Sequence, residues 1–164
     1  MPEKKVLVIN TTPIISLIAA TGSLEMLPLL YRRVLVPVEV CREIEAGGAD
    51  GFAITEFERM TWLDKQSQPT PIPLLLKNSL DAGEAAVIQL ALQQGITLVA
   101  IDETVGRRFA RLSGLTITGS IGILLRAKQL GYPLSMAEAI GRMRQRGIWL
   151  GDTVVEFALR EAGE

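Results

Sequence analysis

Three short apolar runs constrain the fold of this chain more than any other feature. Residues 6–9 (Val-Leu-Val-Ile), 34–36 (Val-Leu-Val) and 97–101 (Thr-Leu-Val-Ala-Ile) are rich in β-branched residues and lack polar alternation. Such runs read as strands buried on both faces, which is the signature of a parallel sheet. A fourth strand is read at 116–118. Helical patterns separate them. Thr12-Pro13 reads as a cap followed by proline at the first helical position, with Ile14, Ile15, Leu17 and Ile18 as the apolar stripe. Further helices are expected near 24–31, from Pro37 to about Glu45 with Gly47-Gly48 as the stop, and from Asp81 to Gln94 with Gly95 as the stop. Others are expected up to about Leu112, near 121–130, near 135–146 and at 152–161. Residues 49–79, with Pro69, Pro71 and Pro73, read as a loop-like crossing. Strands alternating with helices predict βαβ units: one α/β domain with helices on both faces of a parallel sheet.

Composition narrows the chemistry. The 164 residues include one cysteine, Cys41, and no histidine. Ser-His-Asp and Cys-His triads, His-containing zinc sites and an internal disulfide are therefore excluded. Any catalysis must use carboxylates, hydroxyls, Lys or Arg, or a hard metal held by oxygen. The first apolar run is interrupted by Asn10-Thr11-Thr12-Pro13, so it suits neither a secretory segment nor a membrane span. The expected location is the cytoplasm, with no membrane partner.

In open parallel sheets, sites gather beyond the carboxyl ends of the strands. Asn10 follows the first run and Asp102 the third. Either residue could instead cap the next helix. Glu84 shares a helical face with Ile88 and Ala91, and also fits a capping box with Asp81. Glu43, on the helix after Pro37, reads alone as a solvated residue. Together the four oxygen-bearing side chains form a constellation suited to a hard cation such as Mg²⁺ or Mn²⁺. Ions of that kind commonly serve phosphoryl chemistry.

Net charge is only -1, but it hides two opposed segments. Residues 105–146 carry eight basic side chains (Arg107, Arg108, Arg111, Arg126, Lys128, Arg142, Arg144 and Arg146) against one acid, Glu138. Residues 37–64 carry Glu39, Glu43, Glu45, Asp50, Glu56, Glu58 and Asp64 against Arg42 and Arg59. An acidic pocket beside a basic flank suits a polyanion, with Arg107, Arg108 and Arg111 nearest to Asp102. Solvated helix faces would give the same count. Trp62 and Trp149 read as core or interface residues rather than stacking platforms. Neither GxxxxGK[ST] nor GxGxxG occurs.

The segment Val-Ile-Asn10-Thr-Thr-Pro-Ile-Ile-Ser-Leu resembles the opening strand and turn, D-T-S-P-L-I, of PIN-domain proteins. Val34-Leu-Val-Pro-Val-Glu-Val-Cys-Arg-Glu43-Ile is similar to the strand and helix carrying that family's second acid. Leu80-Asp-Ala-Gly-Glu84-Ala is similar to its L-D-x-G-E-A segment, and Ile101-Asp102-Glu103 to its fourth acidic position. Gly119-Ser120-Ile-Gly-Ile-Leu resembles the turn after the last strand. The likeness runs in order over residues 5–130 and is nearest to a prokaryotic, toxin-like branch of long-unassigned function.

That resemblance implies a three-layer α/β/α domain and a Mg²⁺- or Mn²⁺-dependent ribonuclease. It also implies RNA as substrate, a homodimer, and pairing with a small antitoxin protein. Carried over, Asn10, Glu43, Glu84 and Asp102 would surround the metal, with Glu43, Glu84 and Asp102 the catalytic acids. Thr12 and Ser120 would line the site, with Glu103 acting behind the ligands and Arg107, Arg108 and Arg111 holding RNA. The family's first acid is aspartate, and here it is Asn10, an uncharged donor. One rival reading is therefore a catalytically weakened domain that binds RNA or protein. Another is a phosphoacceptor module around Asp102, which lacks a second acid at the first strand's end and an evident lysine.

Overall fold

A computed structural model describes residues 3–47 and 51–164; the stop at Gly48 and the acid at Asp50 lie outside the described residues, as do Met1 and Pro2. Five strands form one all-parallel sheet in the order β3-β2-β1-β4-β5. They are β1 (Lys5–Ile9), β2 (Tyr31–Val36), β3 (Asp64–Lys65), β4 (Leu98–Ala100) and β5 (Thr116–Thr118). Leu7, Val8 and Ile9 of β1, Val34, Leu35 and Val36 of β2, and Val99 and Ala100 of β4 are fully buried. That explains why these runs carry no polar alternation.

The helices between β1 and β2 are α1 (Thr11–Thr21) and α2 (Met26–Leu30). Next come α3 (Val38–Glu45), α4 (Ile54–Arg59), α5 (Leu74–Ser79), α6 (Ala82–Gln94) and α7 (Thr104–Leu112). The last three are α8 (Ser120–Gln129), α9 (Met136–Gln145) and α10 (Asp152–Glu161). Helix α6 packs against β1 and β4 as well as α3 and α7, while α1 packs on α3, α8 and α9. Gly22 and Gly95 end α1 and α6 in the left-handed conformation, at φ 75° and 67°, where a side chain would be strained.

Three expectations need correction. Asn10, not Thr12, is the N-cap of α1, so Pro13 falls at the third helical position, still in the first turn where no N–H is required. Residues 49–79 are not merely a crossing: they contain α4, α5 and the edge strand β3. Of the core-or-interface reading of the tryptophans, the core half fails, with Trp62 38% and Trp149 85% exposed. Among the described residues no helix is long and apolar enough to cross a membrane.

Leu35 is fully buried, whereas Leu112 at the end of α7 is 78% exposed. Leu35→Ala is expected to lower unfolding free energy by about 2–5 kcal/mol, and Leu112→Ala by less than about 0.5 kcal/mol. Urea denaturation of both variants beside wild type checks this.

Candidate functional site

The strand order reverses between β1 and β4, and the polar residues that follow these strands are neighbours in space. The Asn10 N–H donates to the Ala100 carbonyl at 3.1 Å, and the Ile101 N–H donates to the Thr118 carbonyl at 3.0 Å. Parallel pairing thus continues past the strand ends, aligning Asn10, Asp102 and Ser120 along one rim. Asn10 is 2% exposed, makes no side-chain cap bond, and its Oδ1 accepts no hydrogen bond. Capping therefore does not account for its side chain. Asp102 caps nothing on α7; its Oδ1 accepts the backbone N–H of Ser120, at the start of α8, at 2.8 Å. The positive end of α8 thus faces this carboxylate.

Three glutamates close on the same rim from other elements. Glu84 forms the capping box: its N–H donates to Asp81 Oδ1 at 2.8 Å, and its Oε1 accepts the Asp81 N–H at 3.4 Å. That leaves Oε2 of a residue only 6% exposed without a partner. The capping box therefore accounts for one Glu84 oxygen and leaves the other without a partner. Glu43 Oε2 accepts the Thr11 hydroxyl at 2.8 Å, and Glu103 Oε1 accepts the Thr12 hydroxyl at 2.5 Å, leaving Glu103 Oε2 buried and unpartnered. The first two residues of α1 thus each hold a carboxylate from a distant element. Thr12 and Ser120 fall beside the acids as the sequence suggested; Thr11 was not anticipated.

Glycines open the space these oxygens occupy. A Cβ on Gly83 would lie 2.6 Å from Glu43 Oε1 and 2.9 Å from Asn10 Oδ1. One on Gly106 would lie 2.5 Å from Glu84 Oε2, and one on Gly119 would lie 2.7 Å from Asp102 Oδ1. All are closer than a side-chain carbon tolerates. Gly83 lies in the L-D-A-G-E segment, but its reason, the meeting of Asn10 and Glu43 over the first turn of α6, is tertiary.

Gathering acids out of water raises their proton affinity. Burial, then the charges of Asp81 and Glu103, pushes Glu84 up to about 7. Burial also raises Glu43, opposed by the Thr11 hydroxyl, and raises Asp102, opposed by Ser120. Burial lifts the Cys41 thiol to about 11, so no thiolate competes for the chemistry.

The donor set is all oxygen and suits a hard divalent cation by its chemistry. Four buried side-chain oxygens lack partners among the described residues: Asn10 Oδ1, Glu84 Oε2, Glu103 Oε2 and Glu39 Oε1. The first three belong to this rim. The side chains do not stand as a finished cage, since among the described residues no three Asp, Glu or Cys side chains are arranged to enclose an ion. Each acid is instead drawn to its own donor: Thr11, Thr12, the Asp81 N–H or the Ser120 N–H.

The charge segments resolve differently from their linear count. Asp64 pairs with Arg33, Glu56 with Arg59 and the Leu24 N–H, and Glu39 accepts the Thr70 N–H. These acids stabilise local structure, and among the described residues of that segment Glu43 is the acid held at the rim. Arg107 is half-buried and donates to the Ile101 carbonyl at 2.8 Å, beside Asp102, so it braces the rim rather than extending from it. Arg108 and Arg111 are exposed, with no side-chain partner among the described residues.

The PIN-domain family model matches residues 6–164 of the chain. No curated protein matches it.

Because the native pKa of Glu84 lies above the unfolded carboxylate range, the native state holds a proton that the unfolded chain releases. Its contribution to stability is complete below about pH 4.5 and is lost as pH rises through about 7. In EDTA, wild type is expected to lose about 1–3 kcal/mol over that window. Glu84→Gln, which retains a capping-box residue, should flatten the dependence. Urea midpoints across pH measure it.

Proposed function

The chain belongs to the PIN-domain family, and from that premise and the acidic rim we propose that it is a divalent-metal-dependent ribonuclease. PIN domains in general use divalent metal ions. The observation that carries the reading is the set of buried, unpartnered oxygens on Asn10, Glu84 and Glu103, brought from three elements to one strand-end rim. A desolvated acceptor without a donor is costly, and a cation is the partner that several acceptors can share. Asn10, Glu43, Glu84 and Asp102 would hold Mg²⁺ or Mn²⁺. When bound, such an ion would lower the pKa of an attacking water and neutralise charge on the phosphodiester.

The protein's own residues do the rest. Glu84 keeps one oxygen on the Asp81 N–H and presents Oε2 to the ion or to the attacking water. Thr12 orients Glu103, and Thr11 orients Glu43. Arg107 and the first turn of α8 fix Asp102 in place. Arg108 and Arg111, exposed on the next helix, bind RNA phosphates. The same reading takes the chain as the cytoplasmic toxin of a toxin–antitoxin pair and as a homodimer. Exposed Val105 and Leu112 on α7 and Leu74 and Leu75 on α5 offer apolar contact surface.

A second reading is favoured by one residue. Asn10 carries no charge where the family has an aspartate, and a charge at about 4 Å is worth about 4 kcal/mol at an effective dielectric near 20. On that reading the domain binds RNA or protein with little turnover.

RNA cleavage is expected with Mn²⁺, to stop in EDTA and to be abolished by Asp102→Asn; cleavage unchanged in that variant would place the chemistry elsewhere. Asn10→Asp is expected to tighten Mn²⁺ binding about ten- to hundredfold by calorimetry. Salt-sensitive RNA binding without cleavage, weakened by Arg108→Ala with Arg111→Ala, is the outcome that selects the second reading.

A further inference from the structure

A separate cleft lies at the far end of α1. The helix begins with Thr11 and Thr12 at the acidic rim and spans 11 residues, so its other end is about 16 Å away. There Thr21 and Gly22, together with Phe52 and Thr55 and the residues Arg142 and Arg146 of the α9 end, line a cleft of about 520 Å³. That volume is within the range of small-ligand sites.

Both arginines are held in place. Arg142 Nε donates to the Ala20 carbonyl at 2.6 Å, which fixes the plane of its guanidinium and leaves its terminal nitrogens available. The guanidinium of Arg146 lies 4.4 Å from the centre of the Phe52 ring. Neither has an acidic partner among the described residues. Among the described residues the acid lining the cleft is Glu56, which is already engaged by Arg59 at 2.7 Å and 2.8 Å and by the Leu24 N–H at 2.8 Å. Two like charges four residues apart at a helix end repel each other. Among the described residues, the neighbours that contact them, the Ala20 carbonyl and the Phe52 ring, carry no neutralising charge.

We propose that this cleft binds a phosphate group, gripped by Arg142 and Arg146. Two fixed guanidinium groups present forked donors that match phosphate oxygens, and their combined charge matches a phosphate monoester dianion better than a single carboxylate. Both residues are exposed, but the Ala20 hydrogen bond and the Phe52 ring contact orient their guanidinium groups and so reduce the rotamer entropy lost when an anion binds. Thr55, which also lines the cleft, carries a neutral hydroxyl donor. The site is independent of the acidic rim, and its existence does not rest on the nuclease reading. Only its use by RNA does.

The test is calorimetric titration with inorganic phosphate in EDTA at constant ionic strength, on wild type, Arg142→Gln, Arg146→Gln and the control Arg160→Gln. Wild type and Arg160→Gln are expected to bind phosphate, and Arg146→Gln to bind it about tenfold more weakly. Arg142→Gln should behave likewise if its thermal midpoint shows it folded; Arg146→Gln, which removes no side-chain hydrogen bond or ion pair among the described residues, keeps the test valid if it does not. A second arm compares one oligoribonucleotide with and without a 5′-phosphate, again in EDTA. Tighter binding of the phosphorylated strand, lost in Arg146→Gln, identifies a strand terminus as the source. Equal binding of both, also lost in Arg146→Gln, identifies a backbone phosphate. No phosphate binding by wild type, or binding unchanged in both arginine variants, overturns the proposal whatever the outcome at Asp102.

Discussion

The pairing of β1 with β4, extended by the hydrogen bond from the Asn10 N–H to the Ala100 carbonyl, is the constraint on which the site depends. Strand order reverses at this pair, so the chain leaves the sheet from two adjacent ends. The residues that follow, Asn10 on one side and Ile101-Asp102 on the other, have no choice but to be neighbours. The fully buried strands behind them make that register hard to slip.

Placing several carboxylates together at such a rim is unfavourable, and the surrounding structure shows how the strain is limited. Each acid receives at least one donor: a threonine hydroxyl for Glu43 and Glu103, a backbone N–H for Asp102 and Glu84. The glycines at 83, 106 and 119 leave room for these oxygens where a Cβ would come within 3 Å and force them to shift. What remains uncompensated is the set of orphaned oxygens and the raised proton affinity of Glu84, and on the proposed reading a cation would supply the missing partner. Asn10, uncharged, lowers the repulsion by one charge, and on the proposed reading it would lower the attraction for a metal with it.

Much of this was legible in the sequence, for reasons that can be stated. The central strands appear as apolar runs because burial on both faces excludes polar residues. The edge strand β3 is two residues, Asp64-Lys65, beside β2 alone; an edge imposes no such pattern, so it was invisible. Asn10, Glu84 and Asp102 stood out because strand ends and a capping box have local signatures. The roles of Thr11, Gly83 and Gly106 have none, since each exists only to meet an oxygen from a distant element. Counting charges along residues 37–64 misled for a related reason: Asp64 and Glu56 are paired, and pairing is a property of space rather than of sequence.

The central claim is that the ends of β1 and β4, with Glu43 and Glu84 above them, form one divalent-cation site. Paramagnetic broadening by Mn²⁺ in a backbone-amide NMR titration tests it most directly. At substoichiometric metal, the resonances of Asn10, Thr11, Gly83, Glu84, Asp102 and Ser120 should vanish first and together, while those around Arg142 and Arg146 persist. Broadening centred elsewhere, or none at metal excess, would contradict the account.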